Sequence, residues 1–139
     1  RTIPACARLP QRQMSFLLLS VEQVETLHDL VLNPGELPGK ALDKSLSGAL
    51  ARVDNRLAYG MIEDVFDLAA AYAEAIAQGH CFNDANKRTA YRVMIVCLRL
   101  NGVTMTHDTE DVGQRIIRLA QRLDDAGEMA DWLRAQAGA

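Results

Sequence analysis

No proline follows Pro38 in this chain of 139 residues, and two of its four prolines lie within the first 13 positions. With the remainder punctuated only by glycines such as Gly60, Gly79, Gly102 and Gly127, the short-strand, tight-turn rhythm of an all-β domain is excluded and helices are favoured. Cysteine is scarce and odd in number. Cys6, Cys81 and Cys97 show no paired spacing, which argues against a disulfide framework or a zinc knuckle and for a reducing, cytoplasmic home. Aromatic residues make up only 5% and the formal net charge is −3, so the chain lacks the basic, stacking-rich surface of a general nucleic-acid binder. No apolar run approaches the roughly 20 residues that span a bilayer, and no membrane segment is expected. The length suits one domain with one core.

Residues 1–13 differ from the rest. They hold three arginines and no acid, and they precede Met14. An Arg-rich targeting peptide is one reading; an upstream or expression-derived tail is the other, favoured because the segment has no apolar centre. Residues 14–139 then form the domain, with a net charge of −6.

Apolar spacing predicts about six helices. Ser20 with Gln23 forms a capping box for a first helix carrying Val24, Leu27, His28 and Val31, stopped by Asn33-Pro34-Gly35. Leu42, Leu46, Ala49, Leu50, Val53 and Leu57 mark a second, and residues 61–78 a third, with Gly79 as its stop. Residues 86–101 are apolar nearly all round, as expected of a central, buried helix. Residues 103–106 suit a short extended piece. Thr109 is the expected N-cap of a fifth helix, and Gly127 precedes a sixth containing Met129, Trp132 and Leu133. The alanines of residues 69–77 indicate close helix packing.

The chemistry is concentrated between the third and fourth helices, in Gly79-His80-Cys81-Phe82-Asn83-Asp84-Ala85-Asn86-Lys87-Arg88-Thr89. A helix start presents unpaired N–H groups and positive potential, so two cations in its first turn are unfavourable unless an anion, most simply phosphate, compensates them. Lys87 and Arg88 occupy that turn, and small Ala85 permits close backbone approach. Asp84 is the one acid beside them. A lone carboxylate next to phosphates suits Mg²⁺, although an N-cap or a salt bridge is the plainer use. An imidazole can accept a proton from a hydroxyl at neutral pH, which makes His80 a candidate base against a merely structural role. Phe82 reads as a core anchor. Arg92, four residues after Arg88, is either a further phosphate contact or a solvated arginine.

As a whole the string resembles the Fic/Doc superfamily, whose loop runs His-x-Phe-x-acid-Gly-Asn-x-Arg. It is most similar to the Doc branch, the death-on-curing toxins of bacterial toxin–antitoxin modules, where the loop runs His-x-Phe-x-Asp-Ala-Asn-Lys-Arg. The likeness extends through Leu27-His28-Asp29, Leu37-Pro38-Gly39, Ala58-Tyr59 and Phe66-Asp67-Leu68, over most of residues 15–103. It implies an all-α, compact helical fold with a short flap. It also implies a transferase that uses a nucleotide to modify a hydroxyl, threonine above all, of a target protein. By that likeness His80 is the general base, Asp84 the Mg²⁺ ligand, Asn86, Lys87 and Arg88 the phosphate cradle, and Leu37, Pro38 and Gly39 the flap that aligns the target.

The chain departs from the wider Fic pattern at Ala85, Lys87 and Tyr91, which stand for glycine, glycine and a second arginine. Members with the full pattern transfer AMP. Doc-like members with the lysine seat ATP in the reverse sense and transfer its terminal phosphate to elongation factor Tu, blocking translation. A lysine in the anion site changes which phosphate is seated there and so which phosphorus faces the hydroxyl. The resemblance therefore implies an ATP- and Mg²⁺-dependent kinase toxin. An AMP transferase and a catalytically idle binding or regulatory member remain as alternatives. The inhibitory Ser/Thr-x-x-x-Glu-Gly/Asn motif of many Fic proteins is matched only poorly, by residues 106–111, where Asp111 follows Glu110. Restraint is accordingly expected in trans, from a Phd-like antitoxin with a basic surface and a tail that folds on binding.

Overall fold

The computed structural model describes residues 15–138 and the strand Thr2–Pro4. Six helices follow in order: α1 (Val21–Val31), α2 (Leu46–Ala58), α3 (Val65–Gly79), α4 (Asn86–Leu100), α5 (Thr109–Ala120) and α6 (Ala126–Ala137). The all-α class stands. A small antiparallel ribbon is added to it, pairing β1 (Thr2–Pro4) with β2 (Ser15–Leu17) in the register Thr2↔Leu17, Ile3↔Phe16, Pro4↔Ser15. Part of the expected tail is thus paired, while residues 5–14, Cys6 among them, lie outside the described residues.

Local side-chain chemistry sets the helix starts. Ser20 and Gln23 close the expected capping box on α1, and a second box, Asp125 with Glu128, opens α6. The latter corrects the sixth helix, because Gly127 falls inside its first turn. Asp108 rather than Thr109 caps α5, its carboxylate accepting from the N–H groups of Glu110 and Asp111. Ser45 caps α2, so Leu42 lies outside that helix and is fully exposed. Asp64 caps α3 and moves its start to Val65. Residues 103–106 form coil.

α3 and α4 form the centre. α3 packs on α2, α4, α5 and α6, while α4 packs on α1, α3 and α5. The alanines of α3 explain how one helix can have so many neighbours: Ala69, Ala70, Ala71, Ala73, Ala75 and Ala77 are all buried and let backbones approach closely. Tyr72 threads the same packing and accepts the Leu19 N–H on its hydroxyl at 3.0 Å, tying the segment between β2 and α1 to the core. Cys81 and Cys97 are free and buried, and burial pushes the Cys97 thiol up to about 12, so it is packing material rather than a nucleophile.

Arg134 of α6 clasps the start of α3. Its Nε donates to Asp64 Oδ2 at 2.9 Å and its Nη2 to Asp67 Oδ1 at 2.6 Å. Burial works to raise the Asp64 carboxyl, but the bonds from Arg134 and from the Asp67 N–H outweigh it and hold the group below its usual range.

The joint between α3 and α4 is where the backbone is unusual. The left-handed residue that ends α3 is His80 (φ 49°, ψ 41°), not Gly79. Gly79 is required for space instead, since a Cβ there would meet the Cys81 Sγ at 2.9 Å. At the far end Ala85 (φ 65°, ψ 29°) is also left-handed and leads into α4. A non-glycine residue in that region carries roughly 1–2 kcal/mol of strain.

Two outcomes are expected. Asp64→Asn keeps a good N-cap but removes the charge, and should lower stability at pH 7 by about 1 kcal/mol. Because the folded carboxyl is depressed, the contribution is present above the unfolded value near 4 and lost as pH falls through the folded one. Thermal melts from pH 7 to 3 should therefore show the gap from wild type closing, and a constant gap would contradict the assignment. Ala85→Gly should relieve the left-handed strain and raise urea-unfolding stability by about 0.5–1 kcal/mol.

Candidate active site

α4 is the exception among the helices in its start. Ser20, Ser45, Asp64, Asp108 and Asp125 each cap their helix by a side chain, whereas Ala85 offers α4 none, and no acid lies in its first turn. Lys87 and Arg88 stand at that end, the former exposed and the latter partly buried. Uncapped N–H groups with adjacent cations form a site of positive potential at the start of a core helix.

The loop that leads into it is held rigidly. Phe82 is buried and its ring stacks on that of His28, with centroids 3.8 Å apart and planes 7° from parallel. Asn86 grips the same residue by its backbone: its Oδ1 accepts the Phe82 N–H at 3.0 Å and its Nδ2 donates to the Phe82 carbonyl at 2.9 Å. The amide expected in the phosphate cradle is therefore engaged in bracing the loop. His28, 1% exposed, also donates from Nε2 to the Asp84 carbonyl at 2.8 Å. Sequence reading placed His28 on a helix face and gave it no role. A histidine among Val24, Leu27 and Val31 on the apolar side of α1 was the available signal.

Leu37, Pro38 and Gly39 lie against this loop, as a flap should. Lys40 and Phe82 form an isolated antiparallel bridge, with Ala41 N–H donating to the Cys81 carbonyl at 2.8 Å and Asn83 N–H to the Gly39 carbonyl at 3.1 Å. The Asn83 side chain adds a bond to the Pro38 carbonyl at 3.0 Å. Asp84 accepts the Leu37 N–H on Oδ2 at 2.8 Å. Arg88 spans the gap between elements, donating from Nη1 to the Val31 carbonyl at the end of α1 and from Nη2 to the Glu36 carboxylate of the flap. Hydrogen bonding to Arg88, then to the Asn33 N–H, holds the Glu36 carboxyl below its usual range. Sequence reading did not single out Glu36.

His80 is exposed at the C-cap of α3, and among the described residues no hydrogen bond or ion pair engages its ring. Its left-handed backbone projects it from the end of the core helix rather than into the packing. Arg92 follows Arg88 by one turn of α4. Its guanidinium lies 5.8 Å from the centroid of the Tyr91 ring, and the Tyr91 hydroxyl shares a 2.9 Å hydrogen bond with His107 Nε2. Glu110 is exposed in the first turn of α5, and the carboxylate beside Arg88 is that of Glu36 instead.

Asp84 is the carboxylate of the loop itself and Glu36 the one that the flap adds at Arg88, and the described residues contain no group of three His, Cys, Asp or Glu side chains able to cage a metal. A single carboxylate is the kind of donor that Mg²⁺ takes alongside phosphate oxygens and water. No helix among the described residues is long and apolar enough to cross a membrane.

Comparison with known proteins identifies the family. Residues 18–98 match the model of the Fic/DOC family, a span that holds α1 to α3, most of α4 and the whole flap and loop. The chain is also 37% identical over 117 residues to "Protein kinase doc" of Escherichia phage P1, covering 84% of this chain and 92% of that protein. With that family match over more than half its length, and a relative this similar over nearly all of both chains, the chain belongs to the Fic/DOC family.

Proposed function

We propose that this protein is a kinase toxin of a bacterial toxin–antitoxin module. It transfers the terminal phosphate of ATP to a threonine hydroxyl of elongation factor Tu in the cytoplasm and so blocks translation. The observation that carries the reading is the rigid loop from His80 to Arg88. It holds an exposed imidazole, unengaged among the described residues, one carboxylate and the uncapped, cationic start of α4 within a single turn-and-helix unit. The relative named as a protein kinase supports phosphate rather than AMP as the group transferred.

In this reading the target segment lies along the flap at Leu37, Pro38 and Gly39, which brings its hydroxyl to His80. The imidazole takes the hydroxyl proton as the oxygen attacks the γ phosphorus. The new P–O bond forms while the bond from that phosphorus to the β–γ bridging oxygen breaks, and ADP leaves. Lys87, Arg88 and the first N–H groups of α4 hold the phosphates in line, so the protein contributes chiefly position and charge. Asp84 is the residue to hold Mg²⁺, which when bound neutralises charge on the phosphate oxygens. His28 and Asn86 keep this set in place through Phe82 and the Asp84 carbonyl. Restraint comes in trans, from a Phd-like antitoxin.

With ATP labelled at the α or the γ phosphate, label is expected on elongation factor Tu from γ alone, and His80→Ala should lower the rate by about 10²-fold or more. Transfer from α alone would sink the kinase reading in favour of an AMP transferase, and transfer from neither would count against both. Growth arrest as strong with His80→Ala as with wild type would point to an idle, partner-binding member. Lys87→Gly should weaken γ-phosphate transfer and open AMP transfer. Unchanged γ transfer in that variant would show that the lysine does not select the phosphate.

A further inference from the structure

A polar cavity of about 350 Å³ lies between α2 and α3, with the turn after α5 at its edge, and shares no lining residue with the loop or the flap. Three guanidinium groups line it, Arg52 and Arg56 from α2 and Arg122 from the turn, against the single carboxylate of Glu74. Glu74 is mostly buried and fully used: one oxygen takes Arg56 and the other the Ala126 N–H at the start of α6. Arg56 is thereby neutralised. Arg52 and Arg122 have no carboxylate within ion-pair reach among the described residues, so three arginines against one glutamate leave two positive charges on the cavity. Like charges around one space repel, and an anion seated among them removes that cost. The planar fork of an arginine matches an oxyanion, above all a carboxylate or a phosphate. No aromatic ring among the described residues lines the space, so it offers no surface on which a base stacks.

The cationic edge is built before any ligand arrives. Arg122 donates from Nη1 to Gln78 Oε1 at 2.8 Å, and Gln78 donates in turn from Nε2 to the Leu119 carbonyl at 3.0 Å. With His80 and Ala85, Arg122 (φ 62°) is one of the non-glycine residues in the left-handed region among the described residues, where glycine would be unstrained. What an arginine adds there is its guanidinium, bonded to the last turn of α3. Arg52 brings the cavity to the backbone that carries His80. Its Nη2 lies 3.7 Å from where a Cβ on Gly79 would stand, and while burial pushes the Cys81 thiol up, the charge of Arg52 works against it. Gly79 and Cys81 are the two chain neighbours of His80.

We propose that this cavity is a docking site for an acidic side chain of the acceptor protein, held between Arg52 and Arg122. It rests on the reading of the chain as a kinase that acts on a protein and deepens it by naming what the acceptor presents: a carboxylate near the hydroxyl that receives the phosphate. An oxyanion seated beside the base that deprotonates a protein hydroxyl is supplied most directly by that same protein. The flap aligns the target segment, and the two arginines add a requirement of charge. Neither arginine touches the reacting atoms, so both are specificity residues that act through acceptor binding rather than through the chemical step.

The test is steady-state γ-phosphate transfer to elongation factor Tu by the whole protein. Arg52→Gln combined with Arg122→Gln should raise the acceptor KM about fivefold or more and leave kcat and the KM for ATP within about twofold of wild type. Added salt should raise the acceptor KM of wild type more than that of the double variant. Arg122→Gly separates docking from folding: it relieves the left-handed strain, so Tm should be unaltered or higher while the acceptor KM rises about threefold. An acceptor KM unchanged in the folded double variant, or a loss confined to kcat, would overturn the proposal. NMR titration of wild type with a hexaglutamate peptide and, separately, with inorganic phosphate needs no transfer assay. Shifts of the Arg52 and Arg122 Nε–H signals with the peptide are expected. Shifts there with phosphate alone would mark a free-anion site, and peptide shifts confined to Lys87 and Arg88 would leave the cavity empty; either overturns the proposal. If wild type transfers no phosphate to elongation factor Tu, the reading of that acceptor fails, and the peptide titration still decides the docking site.

Discussion

Phe82 is gripped twice, by the stack of its ring on His28 and by the paired hydrogen bonds of its backbone to Asn86, and the rest of the site hangs from that anchor. A loop between two core helices would ordinarily move. Here its middle is buried, its two ends are left-handed turns at His80 and Ala85, and His28 fixes the carbonyl of Asp84 as well. The strain of two left-handed residues persists only because the surrounding contacts over-determine the path. What the strain achieves is direction: His80 leaves the end of α3 pointing outward, and α4 begins with its N–H groups uncapped.

The same loop carries the flap. Glu36 and Leu37 reach the two groups that matter most to an anion and a cation, the Arg88 guanidinium and the Asp84 carboxylate, while Pro38 takes the Asn83 side chain and residues 39–41 pair with the loop backbone. Flap and phosphate site are thus a single hydrogen-bonded unit rather than two elements that happen to be near each other. The positive end of α4 is also balanced within the chain. Arg88 is shared between the Val31 carbonyl and Glu36, which leaves Lys87 as the more exposed cation of the pair.

Behind this unit the core is built for closeness. Alanines on α3 allow four helices to approach it, Tyr72 ties the segment before α1 to that centre, and Arg134 locks α6 to the first turn of α3. α3 is therefore held at both ends, by the Arg134 clasp at Asp64 and by the Phe82 anchor just beyond Gly79. Since His80 is its C-cap, the rigidity of the core is delivered directly to the group proposed to move a proton.

Much of this was legible in the sequence, because helix periodicity, caps and the loop string are local properties. The stripe of α2, the capping box of α1 and the run from His80 to Arg88 each depend on residues within a few positions of one another. The errors were local too: Asp108, whose carboxylate accepts the Glu110 and Asp111 N–H groups, caps α5 one residue before Thr109, Gly127 falls inside a helix that Asp125 opens, and Leu42 fell outside a helix that begins after Ser45. Only the tertiary structure decided the partners of the site residues. That Asn86 braces Phe82, that Arg88 meets Glu36 across 52 positions, and that His28 supports Asp84 across 56 are facts of packing, invisible to spacing. The sequence determined which chemical groups the loop carries; the meeting of α1, the flap and α4 decided where each one points, because hydrogen bonds between distant segments form only once the core has brought them together.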